Sequence, residues 1–72
     1  MNFYEWIIRL KDKDSPTGDL AYDIWRDKNF PKTSTKSEII EYLDSKRVHE
    51  DVIDAFNVAW KSYQNYLKNH QE

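Results

Sequence analysis

The sequence predicts an all-α domain, a compact bundle of four short helices over about residues 3–11, 16–28, 36–46 and 50–69. Three observations carry this. Apolar residues recur at helical spacing in four separate segments, and no segment alternates with the period of a strand. The one glycine and two prolines of the 72 residues fall where helices would begin or end. Three Trp, five Tyr and three Phe supply large apolar side chains, each able to bury roughly 150–250 Å². A chain this short is near the lower limit for one hydrophobic core, and without cysteine it has neither a disulfide framework nor a thiolate zinc site. The aromatic residues are expected to compensate. One domain spans residues 1–72.

The first helix follows Asn2, a good N-cap residue, and its apolar positions Phe3, Trp6, Ile7 and Leu10 share one face. The polar run Lys11-Asp12-Lys13-Asp14 ends it. Ser15-Pro16 then reads as an N-cap followed by proline at the first helical position, where a missing N–H costs nothing. Gly18 leaves open a later start near Asp19. Leu20, Ala21, Ile24 and Trp25 form the apolar stripe of this second helix, which stops before Phe30-Pro31 because a residue preceding proline is pushed out of the α region.

Thr35 and Glu38 have the spacing of a capping box for the third helix. Ile39, Ile40 and Leu43 point inward there, with Tyr42 on the flank. Ser45 to His49 is a short connection. In the fourth helix Val52, Ile53, Phe56, Ala59, Trp60, Tyr63 and Leu67 sustain a stripe over four turns, with Glu50 and Asp51 in the first turn and Lys68 in the last, as the helix dipole favours. The expected core is Phe3, Trp6, Ile7, Leu10, Leu20, Ile24, Ile39, Leu43, Phe56, Trp60 and Tyr63.

Particular residues also resemble a known family. Asn2-Phe3-Tyr4-Glu5-Trp6 resembles the Phe-Tyr-x-aromatic start of the small bacterial YozE family, and Leu20 to Lys32, with Leu-Ala, Ile, Asp and Phe-Pro-Lys in register, is similar to its central block. Glu41-Tyr42-Leu43 and Ala55-Phe56 through Trp60 to Tyr63 are similar to its third and fourth helices. The resemblance implies a fold like that of sterile alpha motif (SAM) domains and an origin in low-GC Gram-positive bacteria. It brings no activity, cofactor or catalytic residue. One departure is the Ser45–His49 connection, where relatives tend to have a longer loop containing glycine.

Candidate chemistry is sparse. Counted as a calcium loop from Asp12, the sixth position is Thr17 rather than glycine and the twelfth is Asp23 rather than glutamate, so a solvated turn is the better reading and no metal or cofactor is expected. Asp19, Asp23 and Asp27 recur every four residues and read as a solvated acidic edge, with Asp27 able to accept backbone N–H bonds from the turn before Phe30. His49 and His70 stand at opposite ends of the last helix. No nucleophile, base and orienting group come together, and one glycine cannot build a phosphate-cradling loop. The chain therefore reads as a non-enzyme. Net charge is −2 with interleaved signs, no apolar run approaches the roughly 18 residues of a membrane span, and Glu5 interrupts the apolar start, so no signal peptide or membrane association is expected and the cytoplasm is the default.

What is left is a binding role. The leading expectation is a small protein-interaction module, acting on another protein or on itself. Its candidate partner surface is Tyr22, Trp25, Arg26, Lys28 and Lys32, if the aromatic residues are exposed beside the cations. The opposing expectation is that Trp25 and Phe30 close the bundle under the interhelical loop. A nucleic-acid accessory role is the alternative, through Arg9, Lys11 and Lys13 or through Arg26, Lys28, Lys32 and Lys36, provided those side chains converge.

Overall fold

In a computed structural model, which describes residues 1–70, the chain forms α1 (Phe3–Ile7), a 3-10 segment (Ile8–Leu10), α2 (Pro16–Arg26), α3 (Lys36–Ser45) and α4 (Glu50–Asn69). No strand occurs among the described residues.

Helix α1 starts on a capping box. The Glu5 N–H donates to Asn2 Oδ1 at 2.8 Å, and Asn2 N–H donates to Glu5 Oε1 at 3.0 Å. The expected single helix over 3–11 instead tightens into the 3-10 segment after Ile7, with the Lys11 N–H on the Ile8 carbonyl at 3.3 Å and the Lys13 N–H on the Leu10 carbonyl at 3.0 Å. The tighter winding turns the chain back toward α2 within a few residues. Leu10, expected in the core, is consequently only partly buried at its edge.

Helix α2 does begin at Pro16. Ser15 Oγ accepts from the Gly18 N–H at 3.1 Å, and Gly18 marks a close approach rather than a delayed start. A Cβ there would stand 1.9 Å from the Lys13 carbonyl oxygen. The helix ends at Arg26, two residues short of expectation, because Asp27 turns extended (φ −89°, ψ 102°). The Phe30 N–H then bonds the Asp27 carbonyl at 3.2 Å and drops Phe30 into the core.

Thr35 is the N-cap residue of α3, but its side chain caps nothing. The expected capping box is absent because the Thr35 N–H is turned back to Thr33 Oγ1, 3.1 Å away. The C-terminus of α3 is a Schellman motif, with Val48 N–H on the Leu43 carbonyl (3.5 Å) and Arg47 N–H on the Asp44 carbonyl (3.0 Å). Arg47 sits in the left-handed region at φ 53°. This is the corner where glycine would be expected, and an arginine carries the strained conformation instead. Helix α4 begins at His49, whose Nδ1 accepts from the Asp51 N–H at 3.1 Å.

The core gathers on Phe3, which is fully buried. Its ring meets Phe56 at 5.3 Å and Tyr63 at 5.5 Å edge-to-face, with Trp60 at 5.4 Å and Trp6 at 5.9 Å. Such pairs add about 0.5–1.5 kcal/mol each beyond their buried area, so the aromatic cluster is a principal source of cohesion. The Tyr63 hydroxyl donates to the Met1 carbonyl at 2.7 Å and lies 3.2 Å from Ser34 Oγ, tying both segments to α4. Ala21, Phe30 and Ala59 join the expected core. Trp60 is only partly buried, and Leu67, 39% exposed, falls off the stripe. The Cα radius of gyration is 11.6 Å, against about 11 Å expected for one compact body of this length.

Candidate protein-interaction surface

The outer side of α2 presents two large aromatic side chains. Tyr22 is 43% and Trp25 48% exposed, and their rings lie 5.8 Å apart. They are three residues apart on a helix, hence neighbours on its surface. The Arg26 guanidinium stands 5.7 Å from the Tyr22 ring, and Lys11, reaching over from the turn after the 3-10 segment, places its ammonium 5.1 Å from the Trp25 ring. Trp25 therefore does not close the bundle. Phe30 alone does that, at 4% exposure.

The candidate surface is only partly assembled as expected. Tyr22, Trp25 and Arg26 come together, and Lys11 completes the cluster from the other basic set. Lys28 is exposed in the turn beyond α2. Lys32 is turned away onto Tyr4 of α1, with its ammonium 5.2 Å from the ring and its carbonyl accepting from Asn2 Nδ2 at 3.3 Å. Arg9 lies against Tyr66 of α4 at 5.8 Å. Within each basic set the cations that meet an aromatic ring rest on different elements, Arg9 on Tyr66 but Lys11 on Trp25, and Arg26 on Tyr22 but Lys32 on Tyr4.

A second feature lies between α2 and α4. One stretch of this groove, about 190 Å³, is lined by Pro16, Leu20, Val52 and Ala55 with Asp19, Asp23 and Asp51 at its edge. It runs into a wider stretch of about 350 Å³ that adds Thr17, Asp54 and Val58. The acidic edge expected from Asp19 and Asp23 is thus one lip of the groove, and Asp51 and Asp54 of α4 form the other. Among the described residues no Lys or Arg lies within ion-pair distance of these four carboxylates.

Asp27 leaves that edge for a structural position. Its Oδ1 accepts from the Asn29 N–H at 3.0 Å, and its Oδ2 accepts from the Tyr42 hydroxyl and lies 3.8 Å from Lys46 Nζ. The Tyr42 bond is the main influence holding its carboxyl below the usual value. Desolvation opposes it, and the Asn29 amide and Lys46 charge reinforce it. Burial first, and then Asp27, push the Tyr42 phenol upward, while the Tyr42 hydroxyl and the Asp27 charge raise the Lys46 ammonium. This trio pins the end of α2 to α3 over a cleft of about 130 Å³ floored by Leu20, Ile24 and Phe30. The backbone part of the Asp27 bonding was readable from the sequence. Tyr42 and Lys46 were missed, although their four-residue spacing puts them on one face of α3.

The two histidines are helix caps, His49 for α4 and His70, which stacks on Tyr66 at 4.1 Å, at its far end. No three His, Asp or Glu side chains gather as metal ligands among the described residues. Among the described residues no helix is long and apolar enough to cross a membrane.

Among known families, the model described as the YozE SAM-like fold matches residues 2–65. No curated protein and no solved structure matches the chain.

Proposed function

The chain belongs to the YozE SAM-like family, and on that premise we propose that it is a small, non-catalytic protein-interaction module whose contact surface centres on Tyr22, Trp25 and Arg26. The half-exposed aromatic pair on α2 carries this reading. A domain this small needs its aromatic side chains inside, yet these two remain outside, with two cations resting on them. Tyr, Trp and Arg are the residue types that dominate the energetics of protein interfaces. We assign the module to the cytoplasm of a Gram-positive bacterium, on the family resemblance and the lack of cysteine.

The test is affinity capture from such cells with wild-type and Trp25→Ala bait, each checked for folding by circular dichroism. Partners retained by the wild type and lost with Trp25→Ala support the reading. Identical captures, or none from either bait together with a monomer at every concentration, refute it.

The alternative is single-stranded nucleic acid, with bases stacking on Tyr22 and Trp25 while Lys11 and Arg26 meet phosphates. It is favoured only by the cations seated on those rings. Dispersal of the other basic side chains and the acidic groove weigh against it. Fluorescence titration with oligothymidylate at low salt decides, since phosphate contacts yield an affinity that falls steeply as salt rises.

A further inference from the structure

The two surfaces of α2 are complementary, and the chain cannot satisfy one with the other. At 3.6 residues per turn, successive residues are about 100° apart around the helix axis. Asp23 and Tyr22 therefore diverge by about 100°, and Asp23 and Trp25 by about 160°. The groove holds four carboxylates with no Lys or Arg partner over an apolar floor, at whose end Val58 is 61% exposed. The aromatic face carries Arg26, which among the described residues meets no carboxylate, and Lys11, which there meets only its neighbour Asp12, at 3.2 Å. Acid over an apolar floor and cation around protruding rings are thus segregated on two sides of one helix.

We propose that the Tyr22–Trp25 face of one copy of this chain seats in the α2–α4 groove of a second copy. The inference rests on the interaction-module reading and names the partner. Trp25 lies on the apolar floor against Val52 and Ala55, while Arg26 and Lys11 approach the aspartates of the two lips. Neither surface is used twice in such a contact, so the assembly is heterologous. Each added copy presents a fresh groove at one end and a fresh aromatic face at the other, and assembly continues unless a ring closes. Its charged rim makes it sensitive to salt.

Sedimentation velocity over a range of concentrations at low salt tests this with four samples. The wild type is expected to grow past the dimer as concentration rises and to shrink again when salt is added. Asp23→Lys/Asp54→Lys closes the groove to cations, and Trp25→Ala/Arg26→Glu removes the face. All four positions are exposed, so both variants are expected to keep the wild-type circular dichroism spectrum. Each alone is expected to weaken self-association at least about tenfold, because like charges then face each other. Mixed in equal amounts they regain one good contact, groove of one against face of the other, and stop at a heterodimer.

A wild type that stays monomeric, a dimer that ends growth, or a mixture with no heterodimer overturns the proposal. Those outcomes leave the wider reading intact wherever Trp25→Ala still removes a foreign partner in the capture experiment, so the two failures are told apart.

Discussion

Gly18→Ala is expected to destabilise this protein, although the same change in most helices does the opposite. Alanine is better than glycine in a helix interior by up to about 1 kcal/mol, and it also loses less chain entropy on folding. Against this, the new Cβ would stand 1.9 Å from the Lys13 carbonyl oxygen and 2.7 Å from its carbon, where contacts under 3.0 Å are essentially never seen. Backbone offers no flexible end to move aside. Lys13 is itself held by its N–H bond to the Leu10 carbonyl, so relief requires the first turn of α2 to back away from the turn after the 3-10 segment by more than about 1 Å. Overpacking of this kind costs about 1–3 kcal/mol, and the Ser15 cap on the Gly18 N–H is strained in the same movement. With the propensity gain of up to about 1 kcal/mol set against this, the expected net loss is about 1–2 kcal/mol. With a urea slope near the low end for small domains, about 1 kcal/mol per molar, the denaturation midpoint falls by about 1 M or more. An unchanged or higher midpoint would refute the argument, since helix propensity would then have prevailed and the contact could not be as close as described.

Three further outcomes follow from single elements. Arg47→Gly removes a left-handed non-glycine residue costing about 1–2 kcal/mol at the price of a more flexible unfolded chain, so it is expected to stabilise by about 0.5–1 kcal/mol and raise Tm by about 3–5 °C by calorimetry. Asn2→Ala removes the Oδ1 that accepts the Glu5 N–H in the α1 capping box and the Nδ2 that donates to the Lys32 carbonyl, while its backbone N–H still reaches Glu5, and urea titration is expected to show a loss of about 1 kcal/mol. Tyr42→Phe is expected to cost about 1 kcal/mol near neutral pH, and it should also flatten the acid limb of stability against pH. Asp27 has a folded pKa below its unfolded value. Its contribution is therefore complete above the unfolded value of about 4 and is lost as pH falls through the folded one. Equal acid limbs in Tyr42→Phe and wild type would show that Tyr42 does not hold Asp27 ionised.

Local signals located most of the fold. The α4 boundaries are legible because an acidic first turn and a four-turn apolar stripe agree, and Ser15-Pro16 marks α2 because side-chain capping acts within three residues. Signals that depend on tertiary contact were not legible. The Thr35-x-x-Glu38 pattern fits a capping box, but Thr33 competes for the same N–H. Gly18 looks like a weak helix start until the Lys13 carbonyl is brought beside it. The candidate surface divides in the same way. Tyr22, Trp25 and Arg26 share one helix and could be grouped from spacing, whereas Lys11 joins them only through the turn, and Lys32 is lost to Tyr4 on another element. The groove needs the packing of α2 on α4, which no single segment encodes.

Phe3 and the Met1 carbonyl find their partners on α4, the latter 62 positions along the chain. Synthesis runs in the opposite sense to that dependence. Helix α1 has five residues, far below the ~12–15 at which an isolated helix begins to hold in water, and it is made first. At about 5–20 residues per second it waits several seconds, with Phe3, Trp6 and Ile7 unprotected, until Phe56, Trp60 and Tyr63 have been added. Burial of Phe3 therefore waits for α4, and a nascent chain halted before Phe56 is expected to leave that apolar face open.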